Sequence, residues 1–127
     1  MATIDRSMRD DGGGMPSCGS TASDLGVRPG IDIPVDADGT VAPLTGGMSV
    51  GLGSPERLPR HRRPPRFGGT GDSPVWQMDS DDVPEALSFR VDPKKPDAHG
   101  FVEPRSRMTL VEYQTALARS RSFWELT

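Results

Sequence analysis

His99-Gly100-Phe101-Val102-Glu103-Pro104, then Met108-Thr109-Leu110 and an apolar-periodic run to about Leu126, decides the fold. The first six residues read as a strand ended by proline, which cannot donate to a sheet ladder. The run that follows opens with Thr109-Leu110-Val111-Glu112, a T-x-x-E capping box that satisfies two otherwise orphaned helix N–H groups. Leu110, Tyr113, Leu117 and Trp124 recur at helical spacing and line one face, flanked by Val111 and Phe123. Arg119 and Arg121 sit where cations favour the helix dipole. A strand feeding a well-capped amphipathic helix predicts an α+β domain with a C-terminal helix.

Upstream, the predicted elements are short strands. Val75-Trp76-Gln77-Met78-Asp79 and Ser88-Phe89-Arg90-Val91-Asp92 alternate in the period of two that half-buried strands require. Leu25, Val27, Ile31, Ile33 and Val35 suit strand pieces broken by Pro29-Gly30 and Pro34. Asp36-Ala37-Asp38-Gly39 has turn chemistry and leads into a short strand, Thr40-Val41-Ala42-Pro43. Residues 51–73 read as a long loop, and a loop of that length in a small domain is commonly functional or mobile. Residues 81–87 read as a turn or one short helix. Residues 1–24 carry two arginines and four aspartates among Gly, Ser and Met, with no apolar period, and are expected to form a disordered tail. The expected organisation is therefore a tail over 1–24 and a single α+β domain over 25–127.

Composition narrows the function classes. The chain has 127 residues, 33% of them hydrophobic, with 15 Gly and 13 Pro. A small core and marginal stability without a ligand or partner follow. A net charge of −3 argues against general nucleic-acid binding, which needs a basic face. The one cysteine, Cys18, permits neither an internal disulfide nor a cysteine-based metal site. Asp79, Asp81 and Asp82 lack the Gly and distal Glu of an EF-hand loop, so no metal is expected. No apolar run is long enough to span a membrane. The first residues lack the apolar stretch of a standard signal peptide, so the expected location is cytoplasmic, or exported by a signal-independent route.

Gly46-Gly47-Met48-Ser49 is the first candidate site element. It is not a dinucleotide fingerprint, because the G-x-G-x-x-G spacing and the following helix are missing. Paired glycines permit close backbone approach, either to a ligand or to another strand. In the ligand reading, Gly47 and Ser49 belong to a nucleotide cleft. Arg60-His61-Arg62-Arg63-Pro64-Pro65-Arg66 places four arginines in seven residues. Such a loop is either solvated and balanced by the acidic run 79–82, or holds a pyrophosphate or an acidic partner, with Arg63 a candidate cofactor ligand. His99 and Glu103 fall on one face of the predicted strand, but strand rise separates them by ~13 Å, too far for direct pairing. Ser49 and His99 could meet in space, yet no G-x-S-x-G elbow accompanies them, which argues against a serine hydrolase.

The order of motifs carries more than any one of them. Leu25-x-x-Arg28-Pro29-Gly30-x-x-Ile33-Pro34, Asp38-Gly39-x-Val41-x-Pro43, Gly46-Gly47-x-Ser49-Val50 and His99-x-x-Val102-x-Pro104-x-x-x-Met108 precede a helix with Tyr113-x-x-x-Leu117. Over Leu25 to Leu117 the chain resembles the small ADP-ribosyltransferase-like cytotoxic effectors of bacterial type VI secretion systems. The resemblance implies a small bent antiparallel sheet, an NAD-shaped cleft, NAD as cofactor, and a cellular target or a cognate immunity protein as partner. It matches Ser49 to the family's turn serine, His99 to the histidine opening the penultimate strand segment, and Arg28 to an early nicotinamide-side or phosphate-side arginine. Ser49, His99 and Glu103 are the implied catalytic candidates, with Glu112 a second glutamate. The chain departs from the pattern at Gly100, where the family has an aromatic, and in its polar N-terminal segment. The competing reading is a non-enzymatic interaction domain, antitoxin-like or adaptor-like, without a cofactor. Whether Ser49, His99 and an arginine face one cleft discriminates between the two.

Overall fold

The computed structural model describes residues 2–127. Its centre is a six-stranded sheet, every neighbouring pair antiparallel. In chain order the elements are β1 (Thr3–Ser7), β2 (Thr40–Val41), β3 (Met48–Leu52), β4 (Val75–Asp79), β5 (Leu87–Val91), β6 (His99–Pro104), β7 (Met108–Thr109), α1 (Leu110–Arg119) and β8 (Glu125–Leu126). The sheet order is β5-β6-β3-β1-β4-β8, and the two-residue strands β2 and β7 pair separately. The architecture is α+β, a six-stranded antiparallel sheet and a two-stranded ribbon with a C-terminal α-helix. Among the described residues, no helix is long and apolar enough to cross a membrane.

Strand alternation gives the sheet two unlike faces. Ile4, Met48, Val50, Trp76, Met78, Leu87 and Val102 point to one face and pack with Tyr113, Ala116 and Leu117 of α1. Leu117 is fully buried, a contribution of roughly 1.5–3 kcal/mol for a side chain of that size. Tyr113 ties helix to sheet at the seam of two strands: its hydroxyl donates to Val102 O at 2.5 Å and accepts from Met48 N at 3.0 Å. The other face carries Asp5, Ser7, Ser49, Gly51, Gln77, His99, Phe101 and Glu103, and it is where the polar chemistry collects.

The sequence expectation of a disordered tail over 1–24 is corrected here. Thr3–Ser7 is an inner strand of the sheet, bonded to β3 on one side and β4 on the other. The polarity that suggests a tail is internal to the fold. Ile4 and Met8 are fully buried, Asp5 accepts from Gln77, and Arg6 donates to backbone carbonyls. Residues 9–25 fold back as an ordered loop, held by Asp24, which accepts from Thr21 N, Thr21 Oγ1 and Arg9 Nη2.

Two further expectations shift. The strand pieces expected over 25–35 bury the right residues, Leu25, Val27 and Ile33, but the backbone there is turn, with an isolated bridge between Pro29 and Ile33. Pro29 and Pro34 have no N–H to offer, and the Arg28 N–H goes to Asp32 Oδ2 instead of a neighbouring strand. The final helix keeps its capping box but stops at Arg119. Ser120 closes it by donating its hydroxyl to Leu117 O, and a 3-10 turn then returns Trp124 to the core. Gly100 is buried beneath Phe89: a Cβ there would lie 2.7 Å from the Phe89 ring.

Candidate functional site

Register aligns the polar face in cross-strand rows. One row runs Gln77, Asp5, Gly51, His99 across β4, β1, β3 and β6. The next contains Ser49 opposite Phe101, with Arg90 of β5 opposite Phe101 in turn. Ser49 and His99 are thus diagonal neighbours on adjacent strands, a relationship that sets side chains about 7 Å apart. The β1–β3 pairing extends only through Ile4↔Leu52 and Asp5↔Gly51. Beyond it Arg6 takes up the freed β3 carbonyl, donating to Ser49 O at 2.7 Å.

A cavity of about 460 Å³ opens where the two strands part, within the ~300–1,000 Å³ of small-molecule sites. Arg6, Ser7, Ser49, Gly51 and His99 form its floor. Arg28, Asp32 and Ala22 form one wall, and Lys95 and Ala98 of the β5–β6 turn form another. The roof is the stretch expected to be a long loop. It is ordered as three successive 3-10 turns, Pro55–Arg57, Arg60–Arg62 and Pro65–Phe67, and supplies Arg57, Leu58, Pro59, His61 and Arg62 to the cavity.

The electrostatics of the lining are one-sided. Arg6, Arg28, Arg57, Arg62 and Lys95 face a single carboxylate, Asp32, which Arg28 already engages at 2.8 Å and 3.2 Å. Arg6 is buried, and desolvation, reinforced by Arg62, brings its guanidinium down to about 10, so it remains charged at neutral pH. Burial also lowers Arg62, which stays fixed by donating to Ser7 O at 2.8 Å and to Ala22 O. Arg57 is braced by Asp97 O at 2.6 Å. Each guanidinium carries five donors, so these bonds to the protein leave N–H groups over for an anion.

His99 is held from two sides. Its Nδ1 lies 2.8 Å from Asp92 Oδ2, and its ring meets Phe101 edge-on at 4.9 Å between centroids. The backbone N–H of Lys94 and the His99 hydrogen bond hold the Asp92 carboxyl below the usual range.

The residues read from sequence divide cleanly. Ser49, His99 and Arg28 line one cavity. Glu103 does not: it is buried farther along β6, where Arg90 Nε donates to both its oxygens at 3.1 Å and Leu44 N donates to Oε2 at 2.9 Å. Its work is to hold Leu44 at a positive φ of 66° and to compensate Arg90. Gly47 serves close approach to another strand rather than to a ligand, since a Cβ there would lie 2.9 Å from Val102 O. Arg63 turns away from the cavity and donates to Phe67 O within the roof, while Arg62 beside it points in. Glu112 is the capping residue of α1. Arg6, Arg57, Lys95 and Asp92 were not singled out from sequence. For Arg6 the available signal was its place between Ile4 and Met8, two apolar residues at strand period.

No protein-family model, curated protein or solved structure gives a match to this chain.

Proposed function

We propose that the cavity binds a phosphate-bearing nucleotide, with NAD the specific candidate, and that the chain is an ADP-ribosyltransferase-like toxin domain or a relative of one. The observation that carries this reading is the convergence of five arginine and lysine side chains with Ser49 and His99 in one cavity of small-molecule size. Guanidinium groups bind phosphate oxygens bidentately, and in a partly desolvated cavity such contacts are stronger than in water. NAD supplies a glycosidic bond whose cleavage passes through an oxocarbenium-like state. The chain's part is to grip the pyrophosphate with arginines, to orient the adjoining sugar with Ser49 and His99, and to exclude water under the 55–67 roof. A cognate immunity protein or a macromolecular target would be the partner.

A second reading has its own support. Among the described residues, the one carboxylate on the lining, Asp32, is paired, and Glu103 is spent on Arg90 and Leu44. Among the described residues of the lining, no unpaired carboxylate is left to stabilise developing positive charge. On that reading the same cavity belongs to a non-enzymatic interaction domain, antitoxin-like or adaptor-like, that holds an anion without turning it over.

Calorimetric and thermal titration with NAD tests both. A ligand that binds only the folded chain stabilises it by about 2.7 kcal/mol at a hundredfold excess over its dissociation constant. The Tm is expected to rise, and to rise less in Ser49→Ala and His99→Ala. Release of nicotinamide favours the transferase reading; binding without consumption favours the interaction domain. No shift with millimolar NAD removes the nucleotide reading.

A further inference from the structure

The β5–β6 turn contains an arrangement that neither reading above uses. Asp92 and His99 stand at its two ends, joined by Asp92 N–H donating to His99 O at 3.0 Å. The turn between them is closed by Lys95 N to Asp92 O and by His99 N to Lys95 O. The two oxygens of Asp92 have separate tasks. Oδ1 accepts from Lys94 N at 2.9 Å, and Oδ2 faces His99 Nδ1 at 2.8 Å. Asp92 is not part of the cavity lining; His99 is.

Protonation logic fixes what the ring offers. An ionised carboxylate accepts hydrogen bonds and cannot donate one. The proton in the 2.8 Å contact therefore resides on Nδ1. In the neutral form of the ring this is the single N–H, and Nε2 then keeps its lone pair. The ring plane is set by the edge-on contact to Phe101, which Arg90 in turn covers at 4.8 Å. The surrounding cavity is otherwise rich in groups that only donate: Arg6, Arg28, Arg57, Arg62 and Lys95. A bare nitrogen among them complements a ligand that has a protic group beside its anionic one.

We infer that Asp92 is a positioning residue: it fixes His99 as the Nδ1–H tautomer and turns Nε2 toward the cavity as the acceptor for a hydroxyl or N–H of the bound anion. The inference rests on the cavity being a ligand site, as proposed above, and it specifies the ligand further. A simple anion such as sulfate satisfies the arginines but leaves Nε2 unused. A phosphate ester with a neighbouring hydroxyl uses both.

Long-range proton–nitrogen NMR of the uniformly 15N-labelled full chain decides the tautomer, at a pH where imidazole is neutral. The chain has two histidines, and the His99→Gln variant assigns the signals. Wild type is expected to show Nδ1–H on His99. Asp92→Asn retains the acceptor for Lys94 N, so the turn survives, but its amide can donate to the ring; the expected result is a switch to Nε2–H. In the same samples, calorimetry with NAD is expected to show at least tenfold weaker binding to Asp92→Asn than to wild type, and sulfate binding unchanged. An Nε2–H tautomer in wild type, or one that Asp92→Asn leaves unaltered, overturns the inference whether or not NAD binds. A switched tautomer with undiminished NAD affinity also overturns it, reducing Asp92 to a turn residue. If wild type shows the Nδ1–H tautomer, Asp92→Asn switches it, and NAD binds neither protein, the dyad stands and the NAD reading falls.

Discussion

Leu58 sits in the notch left by Gly51: a methyl group on residue 51 would lie 2.7 Å from Leu58 Cδ2. The bare glycine in the middle strand lets the roof of the cavity seat directly on the sheet, between Asp5 and His99 of the same cross-strand row. Leu58 is nearly buried there, and it is the roof's apolar anchor. Arg57 and Arg62 add polar ties on either side.

Removing that anchor is expected to free the roof before it unfolds the domain. Leu58→Ala should cost about 2 kcal/mol, the low end for a buried leucine because the site lies at the rim of the core. The clearer readout is limited trypsin digestion. Arg57, Arg60, Arg62, Arg63 and Arg66 all lie in the roof, and the variant should be nicked there far faster than wild type. Equal cleavage rates would show that the polar ties alone hold it.

Deleting residues 2–8 is expected to abolish cooperative folding. The cut removes an inner strand hydrogen-bonded on both edges, together with the buried side chains of Ile4 and Met8. Total stabilities of ~5–15 kcal/mol do not survive such a loss. Circular dichroism through a thermal scan checks this. A sigmoidal transition near the wild-type temperature would mean that β3 and β4 close up without β1.

Asp5 makes stability depend on pH in a direction opposite to most carboxylates. It is fully buried, Gln77 donates to Oδ1 at 2.6 Å, and Oδ2 has no partner. Burial pushes its carboxyl up to about 6 from 3.8. The folded chain thus binds this proton more tightly than the unfolded chain. The associated stability is full below about pH 4 and is lost as pH rises through about 6, a change of about 3 kcal/mol. Carboxylates held low, such as Asp24 and Asp32, act with the other sign. Comparing wild type with Asp5→Asn cancels them. Urea titrations at several pH values should show the variant gaining on wild type between pH 4 and 6, then running parallel. A flat difference would mean that Oδ2 is solvated.

Trp124→Ala should cost ~3–5 kcal/mol, as expected for a large buried aromatic. The ring is 4% exposed, and its N–H donates to Ser120 Oγ at 3.2 Å. The loss reaches both the helix end and the edge strand β8 that follows. A urea midpoint unchanged by the substitution would show that the chain end packs without the indole.

What could be read from the sequence was what local chemistry decides. The Thr109–Glu112 box, the alternation of β4 and β5 and the strand of His99 all depend on neighbours within a few residues. Ser49 and His99 were legible as a pair because two motifs flank them in order. The first strand was not legible, because its polar residues find partners 18 to 72 positions away, Arg6 at Asp24 and Asp5 at Gln77. The partners of Glu103 were hidden for a related reason. A glutamate on a strand looks available until Arg90, 13 residues distant, and Leu44, 59 residues distant, are brought to it. Arg62 and Arg63 are indistinguishable in a run of arginines, and only the 3-10 turn geometry separates the one that faces the cavity from the one that does not.

The gap between β1 and β3 that Arg6 fills also ties together distant parts of the chain. Ile4 pairs with Leu52 and Met78 in the middle of the sheet, and Arg6 beside it reaches Ser49 O and Asp24 O. The cavity floor is thus assembled from segments that are not neighbours in sequence, and it exists only while all of them are in place. Any anion taken up there would draw on every segment at once and would be lost when one of them came away.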